Sequence, residues 1–159
     1  MKNRGFEVCS KYIDSNINLP IRKTRCSVGY DIEAAENITI NPIYSLWIKG
    51  VETKPTLIKT GIKSYFNEDE VLILANRSSN PFKKGLIMAN GIGIVESDYY
   101  NNPSNEGEIM YAFYNFFPFP ITIKKGETIG QAYFQKFLIT DNDIATGERI
   151  GGFGSTEKK

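Results

Sequence analysis

Short runs in which apolar and polar residues alternate make up most of the sequence. In the shortest runs, two apolar residues flank one other residue, as in Phe6-Val8, Ile38-Ile40, Leu72-Leu74 and Ile121-Ile123. Longer runs cover residues 109–117 and 128–138. Clusters of Gly, Pro, Asn and Asp separate these runs at short intervals. Because a period of two is typical of half-buried strands, the pattern predicts an all-β sandwich or barrel.

Two of these runs make specific predictions about which side chains are buried. In 128–138, Ala132, Phe134 and Leu138 share one parity and are expected on one face of a strand. In the stretch GIGIVESDYY, Ile92 and Ile94 alternate as on a buried face, and Glu96 continues their parity. An apolar stripe thus runs directly into a carboxylate.

The segment SSNPFKKG predicts one very short helix near residues 80–85. Asn80 would be the N-cap, Pro81 the first helical residue and Gly85 the terminator. The chain shows neither a repeat nor an internal linker, so residues 1–145 are predicted to form a single β domain. Residues 146–159 lack a core pattern and are predicted to form a mobile C-terminal arm.

Composition restricts the chemistry more than the fold. The 159 residues suffice for one domain with a sizeable core, and a net charge of +1 favours binding to neither nucleic acid nor membranes. The absence of histidine excludes Ser-His and Cys-His pairs and histidine metal sites. The N-terminus lacks the apolar core of a signal peptide, so we expect a cytoplasmic protein with Cys9 and Cys26 as free thiols.

Two segments have features of anion or water sites. In NRSSN, Ser78 and Ser79 would lie at a helix N-terminus beside Arg77, which suits phosphate; the alternative is an ordinary cap with a solvated arginine. Glu96, at the end of a strand, would polarise a water or bind a ligand; the alternative is a hairpin with an acidic turn. A desolvated, ionised Glu96 would need a nearby cation, such as Arg77 or Mg²⁺.

Two further segments have weaker signals. In GGFGSTE, residues 151–157, the glycines allow close backbone approach to a ligand, and Phe153 has no core to join. A disordered Gly/Ser tail is the alternative, but it does not explain the Phe. In GYDIEAA, Asp31 lies early in a strand, and an edge-strand Asp near a turn is the simpler interpretation.

Together, in this order, these segments resemble the five motifs of the trimeric dUTPases. The matching stretches are Gly29-Tyr30-Asp31-Ile32, Arg77-Ser78-Ser79, 90–99 with Gly107-Glu108-Ile109, 125–131, and Arg149 with 151–156. The resemblance implies a distorted jelly-roll β-barrel and a homotrimer with shared active sites. It also implies hydrolysis of dUTP to dUMP and pyrophosphate with Mg²⁺.

The resemblance implies a role for each matched residue. Ile94 and Val95, helped by Asn90, would receive uracil on a hairpin, Tyr99 would lie against the deoxyribose, and Met110 would back the pocket. The phosphates would be bound by Arg77, Ser78, Ser79 and Gln131. The arm would contribute Phe153, stacked on uracil, and Arg149, Gly154, Ser155 and Thr156. Glu96 would orient the attacking water, and Asp31 would act in the second shell of Mg²⁺ or on the sugar side.

Three features depart from the family pattern. Glu96 stands where the family has Asp, Glu157 replaces the final glycine of the last motif, and the segment 41–54 is longer than usual. That segment would be an extra hairpin or a partner-binding surface.

Two other functions remain open. One is a dUTP-binding regulator with weak turnover. The other is a dCTP deaminase, although 109–117 lacks the carboxylate that such an enzyme needs. Besides these two functions, a purely structural β-sandwich is the remaining alternative, but it would need neither RSS nor GGFGST.

Overall fold

Antiparallel strands joined by short loops make up most of the structure. The computed structural model describes residues 3–48 and 53–147, apart from the side chain of Leu46. Over these residues the strands are β1 (Gly5–Val8), β2 (Tyr30–Glu33), β3 (Ile38–Ile40), β4 (Thr56–Lys59), β5 (Ile62–Tyr65), β6 (Glu70–Asn76), β7 (Leu86–Met88), β8 (Gly93–Glu96), β9 (Met110–Asn115), β10 (Ile121–Ile123) and β11 (Thr128–Lys136). The all-β prediction is therefore confirmed.

The strands form two larger and two smaller sheets around a common core. The larger sheets have the orders β2-β11-β6-β8 and β4-β9-β7, and the smaller ones pair β1 with β5 and β10 with β3. Buried side chains from both larger sheets belong to one apolar cluster. In the four-stranded sheet, β8 occupies an edge and carries the acidic segment singled out in the sequence.

The centre of the core is organised by Tyr111 and Phe113 on β9. Both rings are fully buried and stack with 6.1 Å between centroids. The Tyr111 hydroxyl donates a 2.8 Å hydrogen bond to the carbonyl of Gln131 on β11. A Cβ at Gly130 would lie 2.2 Å from the Tyr111 ring, so only glycine allows β11 to pass this close.

The prediction that Leu138 shares a buried face with Ala132 and Phe134 is wrong. The ladder between β11 and β6 ends where Lys136 pairs with Glu70. Leu138 lies beyond it and is 97% exposed. Alternation in the sequence therefore extends past the last residue that has a strand partner.

The short helix near 80–85 is confirmed, but its predicted start is wrong. Helix α2 spans Ser79–Lys84, with Ser78 as N-cap, and ends at Gly85 in the left-handed region (φ 60°). Asn80 is not the cap, because its amide is buried and donates to Asn76 Oδ1 and to the Ile129 carbonyl, both at 2.8 Å. Its side chain ties the helix to β6 and β11.

A second short helix, absent from the prediction, lies in the longer segment. Helix α1 spans Ile43–Ile48, so an extra hairpin is wrong for this part of 41–54. Pro42 precedes the helix and accepts hydrogen bonds from the Ser45 amide and hydroxyl. Proline at a helix start suits this geometry, and six residues are too few to show a helical period in the sequence.

The predicted burial of Ile92 and Ile94 is wrong, because the residues of the opposite parity are the ones that face the interior. Gly93 and Val95 face the interior, whereas Ile94 is 50% exposed on the same side as Glu96. Leu74 lies opposite Gly93, and a Cβ there would stand 2.9 Å from Leu74 Cβ. The inner position therefore has space only for glycine, and the isoleucines face outward.

The expectation of a hairpin around the acidic segment is also wrong, because β8 does not pair with the strand before it or the strand after it. Strand β8 pairs with β6, while β7 and β9, on either side of it in sequence, pair with each other in the other sheet. The segment thus crosses between two sheets.

The cysteines agree with the free thiols expected from the sequence: Cys9 is buried, which raises its pKa to about 11, and Cys26 is exposed. None of the described helices is long and apolar enough to cross a membrane.

Candidate active site

A pocket of about 210 Å³ lies where β8 of one sheet approaches β9 of the other. Its lining includes six residues singled out in the sequence: Asn90, Ile94, Val95, Glu96, Tyr99 and Met110. Leu74, Gly93, Glu108 and Ile109 complete the lining. The pocket therefore combines apolar walls with carboxylate, amide and phenol groups, as ligand sites commonly do.

Strand β8 forms one wall of the pocket. It pairs with β6 on one side only, and over the described residues no strand pairs with its other side. In an antiparallel ladder, alternate residues direct their amides and carbonyls away from the partner strand. An edge strand therefore presents backbone donors and acceptors to a bound molecule.

Glu96 ends β8 and stands at the rim of the pocket. It also borders a more open cavity of about 430 Å³, lined by Phe66, Glu68, Ser97 and Asp98. Asp98, the other carboxylate of this segment, borders that open cavity and is absent from the lining of the 210 Å³ pocket. Of the two, Glu96 is the carboxylate placed to act on a group bound in the pocket.

Tyr99 forms part of the pocket wall, and its hydroxyl group makes two hydrogen bonds. The hydroxyl donates to the Glu108 carbonyl at 3.2 Å and accepts from Asn105 Nδ2 at 2.7 Å. The side chain is buried within a short 3₁₀ turn, Ser97–Tyr99, that follows β8 directly. These contacts fix the position of the ring.

Glu108 is a buried carboxylate in the pocket lining, and no role was predicted for it from the sequence. It is 2% exposed, and its Oε2 accepts a 2.6 Å bond from Lys11 Nζ. Its Oε1 accepts a 3.3 Å bond from the Gly61 amide, and the hydrogen bond to Glu108 raises the pKa of Lys11. In the sequence, only the matched stretch Gly107-Glu108-Ile109 pointed to Glu108, because its ion-pair partner Lys11 is 97 residues away.

The predicted phosphate residues form a second group outside the pocket lining. Arg77, Ser78 and Ser79 lie where β6 leads into α2, and Ser78 makes no side-chain capping bond. Gln131 on β11 donates to the Asn76 carbonyl at 3.1 Å, which brings it beside the same turn. Capping therefore does not occupy the Ser78 hydroxyl.

Asp31 belongs to this second group. It pairs with Gln131 across β2 and β11, and its Oδ2 is buried without a hydrogen-bond partner. Lys23 Nζ is 3.9 Å from that oxygen. Over residues 3–48 and 53–147, no group of three or more His, Cys, Asp or Glu could hold a metal ion. A cation here would need ligands from a substrate or from water.

The remaining predicted residues, Arg149, Phe153, Gly154, Ser155 and Thr156, lie outside the described residues, as does Glu157. The described site thus comprises a base-sized pocket at an edge strand and a separate polar turn. This arrangement defines an antiparallel β protein with a partly polar cleft between two sheets.

Comparison with known proteins identifies the family. A family model for dUTPase matches residues 15–157, so the chain belongs to the dUTPase family. The deoxyuridine 5'-triphosphate nucleotidohydrolase of Lactococcus lactis subsp. lactis is 48% identical over 158 residues, covering 98% of this chain and 99% of that protein.

Solved structures agree with the fold. The crystal structure of dUTPase from Streptococcus mutans has a TM-score of 0.76 and 39% identity, covering 87% of this chain and 99% of that chain. A mutant dUTPase from phage phi11 of S. aureus, with a coordinated structural Mg(II) ion, has a TM-score of 0.68, covering 92% of this chain and 98% of that one. At 16% identity the phage protein shows the fold alone. The dUTPase-type jelly roll is confirmed.

Proposed function

We propose that the chain hydrolyses dUTP to dUMP and pyrophosphate, with Mg²⁺ bound to the triphosphate. The observation that carries the proposal is the pocket at edge strand β8, with Glu96 at its rim and Tyr99 in its wall. The relative from Lactococcus lactis, 48% identical over nearly the whole chain, bears the name of this activity. In a cell, the reaction would keep dUTP out of DNA and supply dUMP.

Uracil would bind against the free side of β8, near Ile94, Val95 and Asn90. Its carbonyls and ring N–H match the backbone donors and acceptors of an edge strand. Cytosine presents a different donor and acceptor pattern, so it would leave buried polar groups unpaired, which is a strong filter. Thymine carries an additional methyl group, and a close-fitting wall would exclude it. Met110 on β9 would back the base.

The sugar would lie against Tyr99, with no space for a 2′-hydroxyl. The triphosphate would then leave the pocket past Glu96. Since the polar turn of Arg77, Ser78 and Ser79 lies outside the pocket lining, a neighbouring subunit would supply these groups and Gln131. Such an arrangement makes the active sites shared within an oligomer.

A homotrimer is supported by the outer face of the three-stranded sheet. On this face Leu57 of β4 is 42% exposed and Ile87 of β7 is 40% exposed. Between them, β9 places Ala112 opposite Leu57 and Tyr114 opposite Ile87, both half-buried. A contiguous apolar face of this kind is suited to burial against copies of the same chain.

Catalysis would consist of positioning and charge neutralisation. Glu96 would orient a water in line with the α-phosphorus and accept its proton, while the bond to the bridging oxygen of the β-phosphate breaks and pyrophosphate leaves. Mg²⁺ would be held by phosphate oxygens and waters, as suits an ion that keeps much of its hydration. Asp31, with its buried Oδ2, would act in the second shell or on the sugar side.

The C-terminal arm would complete the site from another subunit. Phe153 would stack on uracil, and Arg149, Gly154, Ser155 and Thr156 would bind the γ-phosphate. The division into a β domain, 1–145, and an arm, 146–159, stays a prediction, as does a cytoplasmic location. Truncation after residue 150 tests the arm, because it should lower turnover sharply without changing oligomeric state.

The decisive experiment measures pyrophosphate release from dUTP, dCTP, dTTP and UTP, with Mg²⁺ and with excess chelator. We expect release from dUTP alone, lost on chelation. Binding of dUTP without turnover would instead favour a regulator; for such a role, α1 offers Trp47, 76% exposed, as a contact surface. Ammonia release from dCTP would favour a deaminase, a role for which β9 offers Met110 and Ala112 rather than a carboxylate.

A further inference from the structure

The loop 100–107, which follows Tyr99, folds back onto that residue through a network of asparagine side chains. Asn105 Nδ2 donates to the Tyr99 hydroxyl at 2.7 Å. Asn102 Nδ2 donates to the Tyr99 carbonyl at 2.9 Å, and the Asn102 amide reaches the same oxygen at 3.3 Å. The loop therefore holds Tyr99 at both its main chain and the far end of its ring.

The two asparagines also fix each other. Asn105 Oδ1 accepts from Asn102 Nδ2 at 2.8 Å and from the Gly107 amide at 3.1 Å. Asn102 Oδ1 accepts from the Ser104 hydroxyl and amide and from the Asn105 amide. Both Oδ1 and Nδ2 of Asn105 make hydrogen bonds, so the carboxamide is held with its Nδ2 directed at Tyr99.

The backbone of the loop adds rigidity to this arrangement. Asn101 and Glu106 adopt positive φ values of 57° and 62°, which side chains other than glycine rarely do. A Cβ at Gly107 would lie 2.5 Å from the Tyr99 carbonyl oxygen. Glu106 binds Lys63 Nζ at 2.5 Å and the Ser10 amide at 2.9 Å, so the loop is tied to β5 and to the N-terminal segment.

We propose that Asn105 is a positioning residue that sets the preference for a deoxyribose over a ribose by immobilising Tyr99. This inference rests on the proposed function, in which the Tyr99 ring occupies the space of a 2′-hydroxyl. A 2′-hydroxyl adds one oxygen atom, so a ring able to move away from the sugar would admit it. The bond from Asn105 Nδ2 is the shorter of the two at the Tyr99 hydroxyl, and it resists this movement because the ring cannot swing without breaking it.

The test compares kcat/KM for dUTP and for UTP in three variants. In Asn105→Ala the ratio of the two values should fall about three- to tenfold, the range expected for one hydrogen bond. Asn105→Asp keeps the Oδ1 acceptor for Asn102 and Gly107 but replaces the donor to Tyr99 with an acceptor. The Tyr99 hydroxyl can then bond to residue 105 only by turning its proton away from the Glu108 carbonyl, so the ratio of this variant should fall as well. Ser104→Ala is the matched control: it removes one bond within the loop without touching Tyr99, and its ratio should stay at the wild-type value.

A double-mutant cycle shows whether the effect passes through the Tyr99 hydroxyl. Tyr99→Phe alone should lower the ratio, and adding Asn105→Ala should change it less than twofold. An unchanged ratio in both Asn105 variants, or additive losses in the cycle, would overturn the proposal. Failure of the wild-type chain to release pyrophosphate from dUTP would instead contradict the proposed function itself. If Asn105→Ala does not fold, the Asn105→Asp comparison decides.

Discussion

Gly93→Ala is the substitution that most directly probes how β8 positions Glu96. The added Cβ would stand 2.9 Å from Leu74 Cβ and Cδ1 and 3.1 Å from Cγ. Ordinary contact begins near 3.4 Å, so β8 must move away from β6 by about 0.5 Å or more. Leu74 cannot yield easily, because it is buried in the core.

The displacement should reach Glu96, which is three residues along the same short strand. A shift approaching 1 Å at a catalytic group costs up to about 100-fold in rate, so kcat for dUTP should fall about 10- to 100-fold. Overpacking should also lower the free energy of unfolding by about 1–3 kcal/mol. Steady-state pyrophosphate release and chemical denaturation would measure the two effects.

Gly126→Ala is the matched control for loss of stability alone. Gly126 has φ 77°, so alanine is strained there, but the nearest atom to its Cβ would be 3.9 Å away and the residue is not in the pocket lining. This variant should be less stable with an unchanged kcat. If Gly93→Ala kept the wild-type kcat while losing stability like the control, β8 would not be what positions the carboxylate.

Two further predictions concern the supports of the site. The hydrogen bond from Lys63, with those from Ser10, lowers the pKa of Glu106 from 4.5 to about 2. The stability this group contributes is therefore complete above about pH 4.5 and is lost as the pH falls toward 2. Denaturation midpoints between pH 2 and 6 should decline less steeply in Glu106→Gln than in wild type, and parallel curves would refute the assignment. Asn80→Ala removes the buried anchor of α2, so we expect a loss of about 1–3 kcal/mol in unfolding free energy and a raised KM for dUTP. Preference for dUTP over dCTP should not change, and a change in that preference would contradict the separation of base and phosphate sites.

The sequence predicted strands well where burial alternates along a paired strand, as it does on β7, β8 and β9. The pairs 38–40 and 121–123 proved to be the two strands of one ladder, β3 and β10. Alternation indicates a period but not which parity is inside. The larger side chains Ile92, just before β8, and Ile94, on β8, suggested the wrong face. Gly93 adds nothing to the apolar pattern of the sequence, although Leu74 leaves space only for glycine there.

The features missed in the sequence depend on contacts between distant residues or on loop conformation. Burial of Glu108 depends on Lys11, and the bond from Asn105 to Tyr99 depends on positive φ values at Asn101 and Glu106. Motif order placed six residues in one pocket, whereas Arg77, Ser78, Ser79 and Gln131 form a separate turn within one chain. A pattern in a single chain carries no information on the arrangement of copies that the proposed shared site requires.

In the proposed mechanism, Glu96 activates the water that attacks dUTP. Glu96→Gln keeps the size of the side chain but cannot accept a proton, so single-turnover pyrophosphate release from dUTP with Mg²⁺ should slow about 10²- to 10⁴-fold. The dissociation constant for dUTP should stay within about twofold, because the base and sugar contacts are untouched. Turnover near the wild-type rate in this variant would contradict the account.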